Sequence, residues 1–184
     1  MKTFRVKLAL ALGAVAALSI AVVAIAAAHG DHGIKEKLTS YQEVPALSTP
    51  GQGTFRATID RKNQEIHYVL KFGGLESPAT QSHIHFENRT NTGPVVVFLC
   101  TNLGNGPAGT QPCPANGGTI TGTIRPADVI NGGAAQGLAA GEFDELVRAI
   151  KAGATYVNIH STTRPAGEIR AQLSHGNHDQ DKHH

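Results

Sequence analysis

The sequence predicts an all-β protein: a Greek-key-like antiparallel β-sandwich of seven or eight strands with one short helix near residues 141–152. Two observations lead to this fold class. Apolar and polar residues alternate in short runs, and Gly, Pro and Asn bound these runs, as is typical of antiparallel sheets. One stretch alone has the apolar spacing of a convincing amphipathic helix.

The first clear strands form a predicted hairpin. The run GTFRATID at 53–60 places Phe55, Ala57 and Ile59 on one face. The residues RKN then turn the chain into EIHYVLKF at 65–72, where apolar and polar positions alternate again. This pair supplies one half-buried face for the core.

Five more runs have the same character, and an eighth strand is expected if IKEKLTS at 34–40 pairs as well. The turn RPAG joins the last two of them. The five are SHIHF (82–86), PVVVFLC (94–100), GGTITGTI (117–124), ATYVNIH (154–160) and GEIRAQL (167–173).

The helix is predicted in GEFDELVRAIKAG. Phe143, Leu146, Val147 and Ile150 follow the i, i+3, i+4, i+7 spacing of one helical face, and Gly153 is suited to end the helix. We interpret this helix as a cover for one end of the core, without chemistry of its own.

The first 28 residues have the pattern of a signal peptide. Three positive charges precede an apolar run, and Ala-x-Ala sequences permit cleavage after Ala26 or Ala28. The alternative is an uncleaved membrane anchor, since the run is just long enough to span a bilayer. The sequence thus predicts an exported protein, periplasmic or extracellular, that contacts a membrane only if the leader is retained.

The remaining chain divides into three parts. Residues 29–33 are a His-containing N-terminal segment, residues 34–174 the β-sandwich domain, and residues 175–184 a His-rich tail expected to be disordered. The full chain of 184 residues has a formal charge of +2, which becomes −1 without the leader. No basic run remains, which argues against a nucleic-acid partner. The sequence leaves a homo-oligomer open.

The two cysteines, Cys100 and Cys113, flank a Gly/Pro-rich loop. In an exported chain, such a pair predicts a disulfide. Neither thiol is then free to bind a metal. A blue-copper site, which needs a cysteine thiolate, is therefore a poor interpretation.

Three histidines point to a metal site. His83 and His85 lie on the same face of one strand, about 6.5–7 Å apart along the backbone. His160 lies on the polar face of a later strand, and three nitrogen ligands meet if these strands are neighbours. His67 is a candidate fourth ligand because it points away from the apolar set of its strand. The alternative for each is an exposed or hydrogen-bonded strand histidine.

Other polar residues are candidates to support such a site. Glu43, Glu168 and Arg170 are expected around the ligands, because a carboxylate that accepts the spare ring N–H of a histidine fixes its tautomer. The alternative is a Glu168–Arg170 surface ion pair. Arg164 is the candidate catalytic residue, drawing a small anionic substrate toward the metal by its field.

Several motifs, in order, resemble the CHRD domain, the module named after chordin and widespread in bacterial exported proteins. They are YQEVPALSTPGQGTF, SHIHFENRTNTGPVVVFL, AGATYVNIHS and PAGEIRAQL, within residues 34 to 173. Two small departures, EVPAL for a second proline and EIRAQ for a glycine, leave the histidines untouched. The resemblance implies an extracytoplasmic β-sandwich. Chordin itself is an extracellular protein that binds signalling ligands, which implies an interaction module as one reading.

The candidate function is a mononuclear redox site. Imidazole ligands suit one ion of iron or copper, with zinc less favoured because it has no second oxidation state. The H-x-H pattern on a β-sandwich is also similar to copper/zinc superoxide dismutases. The first hypothesis is therefore an enzyme that dismutates superoxide. Two alternatives remain open: a copper-buffering protein without turnover, and a non-catalytic extracellular interaction module.

Overall fold

The computed structural model describes residues 33–174, which form one antiparallel sheet of eight strands with a short helix. The predicted fold class is confirmed, including the eighth strand. The proposed signal peptide, most of the segment 29–33 and the His-rich tail lie outside the described residues and stay predictions. The strands are β1 (Ile34–Thr39), β2 (Gln52–Asp60), β3 (Glu65–Gly73), β4 (Ala79–Phe86), β5 (Val95–Thr101), β6 (Gly118–Ile124), β7 (Thr155–Ser161) and β8 (Ile169–Leu173).

The strand order is β5-β4-β7-β8-β1-β2-β3-β6, and every neighbouring pair is antiparallel. The sheet coils until its two end strands, β5 and β6, approach each other, so that it is nearly a closed barrel. Coiling gives the sheet an inner face that holds the core and an outer face.

Alternation along the strands fills the inner face. In the predicted hairpin, β2 pairs with β3 so that Phe55 lies opposite Leu70 and Ile59 opposite Ile66, and all four are buried. Each methylene taken out of water contributes about 0.8 kcal/mol, so this inner face supplies the main stabilisation of the fold.

The helix α1 (Phe143–Lys151) closes one part of this core, as expected. Phe143, Leu146, Val147 and Ile150 are buried on its inward face. Gly153 follows with a φ of +68°, a conformation that glycine adopts without strain.

The outer face differs between the two halves of the sheet. Along β1, β2 and β3 the outward residues are largely exposed, but every residue of β7 and β8 is buried. A strand buried on both faces needs a second covering layer. Residues 40–42 contact β8, and the loop 87–94 accepts hydrogen bonds from Arg170 and Gln172 of the same strand, so these two segments supply it.

The predicted disulfide is confirmed: Cys100 at the end of β5 is bonded to Cys113. The loop between them is also fixed by Asn102, whose side-chain amide donates to the carbonyls of Ala79 and Cys113. A cross-link of this span stabilises a fold by about 2–4 kcal/mol. Within residues 33–174, no helix is long and apolar enough to cross a membrane.

Candidate metal centre

Three histidines from adjacent strands meet on the covered outer face. In the β4–β7 pairing, His83 lies opposite Asn158 and Gln81 opposite His160, so His83 and His160 are diagonal neighbours. His85 follows His83 on the same face. Each histidine offers one ring nitrogen, and these three atoms lie within 4.8 Å of one another. We call His83, His85 and His160 the histidine triad.

The backbone of β4 is irregular where the triad lies. Its register against β5 shifts between Ser82 and His83, and again between Ile84 and His85. Such irregularities re-aim side chains and are frequent beside functional sites. The inner residue Ile84 remains in the core at 1% exposure, so the shifts affect the triad without opening the core.

Backbone carbonyls fix the tautomers of two triad members. The Nδ1–H of His85 donates to the carbonyl of Gly93 at 2.8 Å, and the Nδ1–H of His160 donates to the carbonyl of Pro165 at 2.9 Å. A neutral imidazole that donates from Nδ1 has its lone pair on Nε2. Both residues therefore keep Nε2 unprotonated and able to bind a metal.

His83 completes the group. Its Nδ1 lies 3.2 Å from the Nε2 of His160, and its ring meets Phe98 edge-on with centroids 4.4 Å apart. Two nitrogens that bind one ion at about 2.0–2.1 Å in tetrahedral geometry are about 3.3 Å apart. The observed separation therefore fits a shared ion.

Unpartnered polar atoms mark the same place. Among the described residues, five buried side-chain polar atoms have no hydrogen-bond partner: Glu43 Oε1, His83 Nε2, His85 Nε2, Thr155 Oγ1 and Asn158 Oδ1. All but Thr155 belong to the triad or to residues beside it. Because a native fold leaves few such atoms, their concentration here calls for an ion or for ordered water. The residues present therefore fit a bound metal.

Burial keeps the triad neutral. It lowers the pKa of His83 to about 2, with the charges of His160 and His85 adding to the effect, and the pKa of His85 to about 4. The pKa of His160 is also below its ordinary value because the ring is buried. Neutral imidazole is the form that coordinates metal, so the apo site requires no deprotonation at neutral pH.

Tyr156 connects His85 to a buried arginine. The rings of His85 and Tyr156 stack in parallel, with centroids 4.6 Å apart. The guanidinium carbon of Arg170 lies 3.4 Å from the centre of the same tyrosine ring. The strand order β4–β7–β8 places His85 and Arg170 on opposite sides of Tyr156, so the aromatic ring separates the cation from the imidazole.

Arg170 also holds the covering loop in place. It is 1% exposed and donates to the carbonyls of Asn88 and Asn91, each at 3.0 Å. On the same strand, Gln172 donates to the carbonyl of Glu87 at 2.8 Å. These bonds satisfy backbone groups of the loop 87–94 that would otherwise lose their hydrogen bonds on burial.

Gly93 links this loop to the triad at a point where no side chain fits. Its carbonyl accepts from His85, and its N–H donates to the hydroxyl of Tyr156 at 3.2 Å. A Cβ at this position would lie 2.3 Å from the carbonyl oxygen of Phe86 and 2.4 Å from the Cβ of Glu87. The loop approaches β4 closely enough to reach His85 because residue 93 is glycine.

The carboxyl group of Glu43 lies beside the centre, 7% exposed. A Cβ on Gly167 would lie 2.6 Å from Glu43 Oε1 and 2.8 Å from Asn158 Nδ2, so the absence of a side chain there makes room for both groups. Burial raises the pKa of Glu43 to about 7, against the lowering effects of the Arg170 charge and the Asn158 amide. Glu43 therefore gains and loses its proton near neutral pH.

The other predicted site residues lie away from the triad. His67 is exposed on β3, with Nδ1 3.1 Å from Thr123 Oγ1 and Nε2 3.2 Å from Glu65 Oε2. Strands β8, β1 and β2 separate β3 from β7, so His67 does not reach the triad as a fourth ligand. The polar face of β3 that carries His67 belongs to the exposed outer surface of β1, β2 and β3.

Arg164 and Glu168 have local partners instead. Arg164 forms an ion pair with Glu76 at 2.9 Å, which compensates the charge expected to steer an anion. Glu168 is fully buried and accepts from the hydroxyl of Ser161 and, at 2.8 Å, from the backbone N–H of Glu76. The ring N–H groups of His85 and His160 therefore donate to backbone carbonyls and not to carboxylates. Arg164 and Glu168 fix the turn that follows His160.

Sequence reasoning missed the residues that orient the triad. Tyr156 and Asn158 share the face of His160 by simple alternation, and this signal was present in the sequence. Gly93 and Pro165 act through their carbonyls, which no side-chain pattern indicates. Phe98 contacts His83 because of the register shifts in β4, which the sequence does not mark.

Replacement of Gly93 by alanine tests the link between loop and ligand. We expect Gly93→Ala to weaken metal binding by about 10- to 100-fold, because displacement of the loop removes the acceptor for His85 Nδ1–H. Gly73→Ala is the matched control, since a Cβ there meets nothing within 4 Å. Competition titration with a chelator measures the affinities. Equal affinities for the two variants would contradict the role assigned to Gly93.

The metal-free protein should lose stability in acid. Because the folded pKa of His85 lies below its ordinary 6.5, the unfolded chain binds more protons between pH 6.5 and 4, and the free energy of unfolding falls as pH drops through this range. His85 alone accounts for up to about 3 kcal/mol. Glu43, with a raised pKa, acts in the opposite direction: its contribution is present below pH 4.5 and is lost as pH rises through about 7.

Urea unfolding of the apo protein between pH 4.5 and 8 measures this dependence. His85→Gln should make the acid limb shallower, because one of the three buried imidazoles is removed, whereas His67→Gln, at an exposed position, should leave it unchanged. A free energy of unfolding that is the same at pH 7 and pH 4.5 would show that the triad is not buried as described.

The comparisons with known proteins concern the whole described domain. The family model of the CHRD domain matches residues 34–173, a span that includes all eight strands and α1. No curated protein and no solved structure matches the chain. The match covers most of the sequence and contains the triad, Glu43 and both cysteines. The chain belongs to the CHRD domain family.

Proposed function

We propose that this chain is an exported metalloprotein in which the histidine triad holds one iron or copper ion and dismutates superoxide. One observation carries the proposal. Three buried, neutral imidazoles bring one nitrogen each within 4.8 Å of one another, and the Nε2 of His85 has no partner within the described protein. Such an arrangement is costly for a fold unless a ligand satisfies it.

The donor set favours a metal of intermediate softness. All three ligands are imidazoles, and the disulfide removes both thiols from metal chemistry. Imidazole suits iron, copper and zinc, but sites built from thiolates or from oxygen ligands alone do not fit. Three protein ligands also leave a coordination position for a small molecule, which a structural site would fill.

The reaction consumes two superoxide ions and two protons and gives one O₂ and one H₂O₂. When bound, the metal supplies an electron acceptor for the first superoxide and an electron donor for the second. The residues of the chain must then admit a small anion, exclude larger molecules and provide protons.

Two residues beside the triad meet these needs. Arg170 is a buried cation whose described hydrogen bonds go to neutral oxygens, and the carboxyl that feels its charge most, Glu43, holds a proton for part of the time near neutral pH. It takes the role of attracting anions in place of Arg164, whose charge Glu76 compensates. Glu43 holds a proton near neutral pH and lies beside Asn158, next to the ligands. It is the proton donor in this proposal.

Export rests on the sequence and is supported by the disulfide. The N-terminal pattern is that of a signal peptide, and disulfides persist in oxidising compartments such as the periplasm or the extracellular space. Superoxide produced outside the cytoplasm would reach an enzyme located there.

Metal analysis of the protein tests the proposal first. We expect about one equivalent of iron or copper in mature protein purified without an affinity tag from its exported compartment. His83→Ala/His85→Ala and His160→Ala should lose the metal and the dismutation activity while retaining the fold, because each removes ligands and little core surface. His67→Ala is the control and should retain both.

Other results of the metal analysis would contradict specific parts of the proposed function. One equivalent of zinc in the same ligands would exclude the redox reaction while preserving the site. Iron or copper without dismutation activity would favour a buffering protein. A folded protein that contains no metal would favour an extracellular interaction module, in which the triad is structural.

Glu43→Gln separates proton delivery from metal binding. We expect it to retain the metal and to lower kcat for dismutation by about 100-fold or more, because the amide has no proton acidic enough to transfer near neutral pH. Wild-type activity should fall as pH rises through about 7, where the carboxyl loses its proton, and this step should vanish in the variant. Glu36→Gln, at a carboxylate bonded to Ser174 away from the triad, is the control. An unaltered pH profile in Glu43→Gln would exclude Glu43 as the donor.

A further inference from the structure

The exposed outer face of β1, β2 and β3 carries a group of four cations that has no part in the metal centre. Lys35 and Lys37 lie on β1, Arg56 on β2 and Lys71 on β3, and all four are exposed. Because of strand alternation, their side chains leave the same face of the sheet. We call these four residues the cationic face.

The strand register centres this group on Arg56. Lys35 lies directly opposite Arg56, so their Cβ atoms are about 5 Å apart. Lys37 and Lys71 both lie opposite Thr54, one on each side, and are therefore diagonal to Arg56 at about 7–8 Å. One arginine is thus surrounded by three lysines, with a threonine hydroxyl between two of them.

No carboxylate compensates these charges within residues 33–174. None of the four cations forms an ion pair there. The acidic residues of the same face, Asp60 and Glu65, lie at the hairpin end of β2 and β3. Asp60 accepts a hydrogen bond from the side chain of Asn63. Glu65 contacts Arg125 and His67.

The arrangement is unfavourable for the isolated fold. Like charges directly opposite each other destabilise a sheet, and Lys35 and Arg56 are such a pair. Lysines often protect sheet edges from unwanted pairing, and Lys35 and Lys37 lie on β1, which pairs with β8 only at Thr39. Arg56 and Lys71 have no such role, because β2 and β3 are paired along both sides. A multiply charged anion would convert the mutual repulsion into attraction.

We propose that the cationic face binds an acidic polysaccharide, a linear sugar polymer that carries sulfate or carboxylate groups. The charges extend about 10 Å across three strands and about 7 Å along them, which exceeds the size of one phosphate or sulfate. On β6, Thr119 and Thr121 continue the same two rows with exposed hydroxyls, which suit sugar hydroxyls as hydrogen-bond partners.

The chemistry of the face disfavours two other polyanions. Among the described residues, the exposed large apolar side chains are Tyr41, Val69 and Leu103, and Val69 alone belongs to this face. The cationic face therefore offers no large apolar side chain, apart from Val69, that would insert into a bilayer. The face also presents no exposed Phe, Tyr or Trp on which the bases of a single-stranded nucleic acid would stack.

Binding of the mature protein to dextran sulfate, with neutral dextran as the matched probe, tests the proposal. We expect the protein to bind dextran sulfate and not neutral dextran. Added salt should weaken this binding, because its ions screen the attraction between the cationic face and the sulfate groups. Lys35→Gln/Arg56→Gln/Lys71→Gln should lower the affinity by at least 10-fold. Lys62→Gln/Arg125→Gln/Lys151→Gln removes the same number of charges from exposed positions elsewhere and should bind as the wild type does. Metal content and thermal unfolding report whether each variant remains folded.

Several results would overturn the proposal. Equal weakening by both triple variants would mean that net charge, and not this face, governs binding. Absence of binding to both dextran sulfate and polygalacturonate would exclude an acidic polysaccharide. Tighter binding to anionic phosphatidylglycerol vesicles or to DNA, lost in the first variant alone, would assign the face to a membrane or a nucleic acid instead.

Discussion

The burial of polar side chains on the outer face of β4, β7 and β8 is the constraint on which the rest of the structure depends. Burial removes water from three imidazoles, a carboxyl, an amide and a guanidinium, and each must find another partner or become neutral. The imidazoles do both: their pKa values fall, and two of them donate to backbone carbonyls. The Nε2 atoms of His83 and His85 are among the few polar atoms of this region that no protein group satisfies.

The covering layer and the histidine triad support each other. Arg170 satisfies the carbonyls of the loop 87–94, and the loop supplies the carbonyl of Gly93 to His85. Tyr156 contacts all three participants: it stacks on His85, lies beneath Arg170 and accepts from the Gly93 N–H. The loop therefore orients a ligand while the strand beneath it anchors the loop, and neither element is specified by local sequence alone.

The alternation of apolar and polar residues was sufficient to predict the fold class and the strand face on which each triad histidine lies. It predicted the β2–β3 hairpin, the inward position of Ile84 and the outward positions of His83, His85 and His160, because side-chain direction in a strand has a period of two. It did not distinguish His67 from the triad. Whether an outward face is covered depends on loops and strand order, and these are tertiary properties. The acceptors predicted to be carboxylates are, in the structure, carbonyls of the segments that directly follow β4 and β7, and a side-chain pattern does not indicate a carbonyl.

Hydrogen-bond acceptance by the backbone has a consequence for the evolution of this site. Every amino acid carries the same carbonyl, so substitutions at residue 165 do not by themselves delete the group that fixes the His160 tautomer. The orientation of His160 is thus insensitive to most changes of side-chain identity at residue 165, provided that the path of the turn is retained. Insertions and deletions act differently, since they move the carbonyl itself. Relatives of this chain should therefore tolerate divergent residues at position 165 while keeping the length of the turn and the glycine at 167.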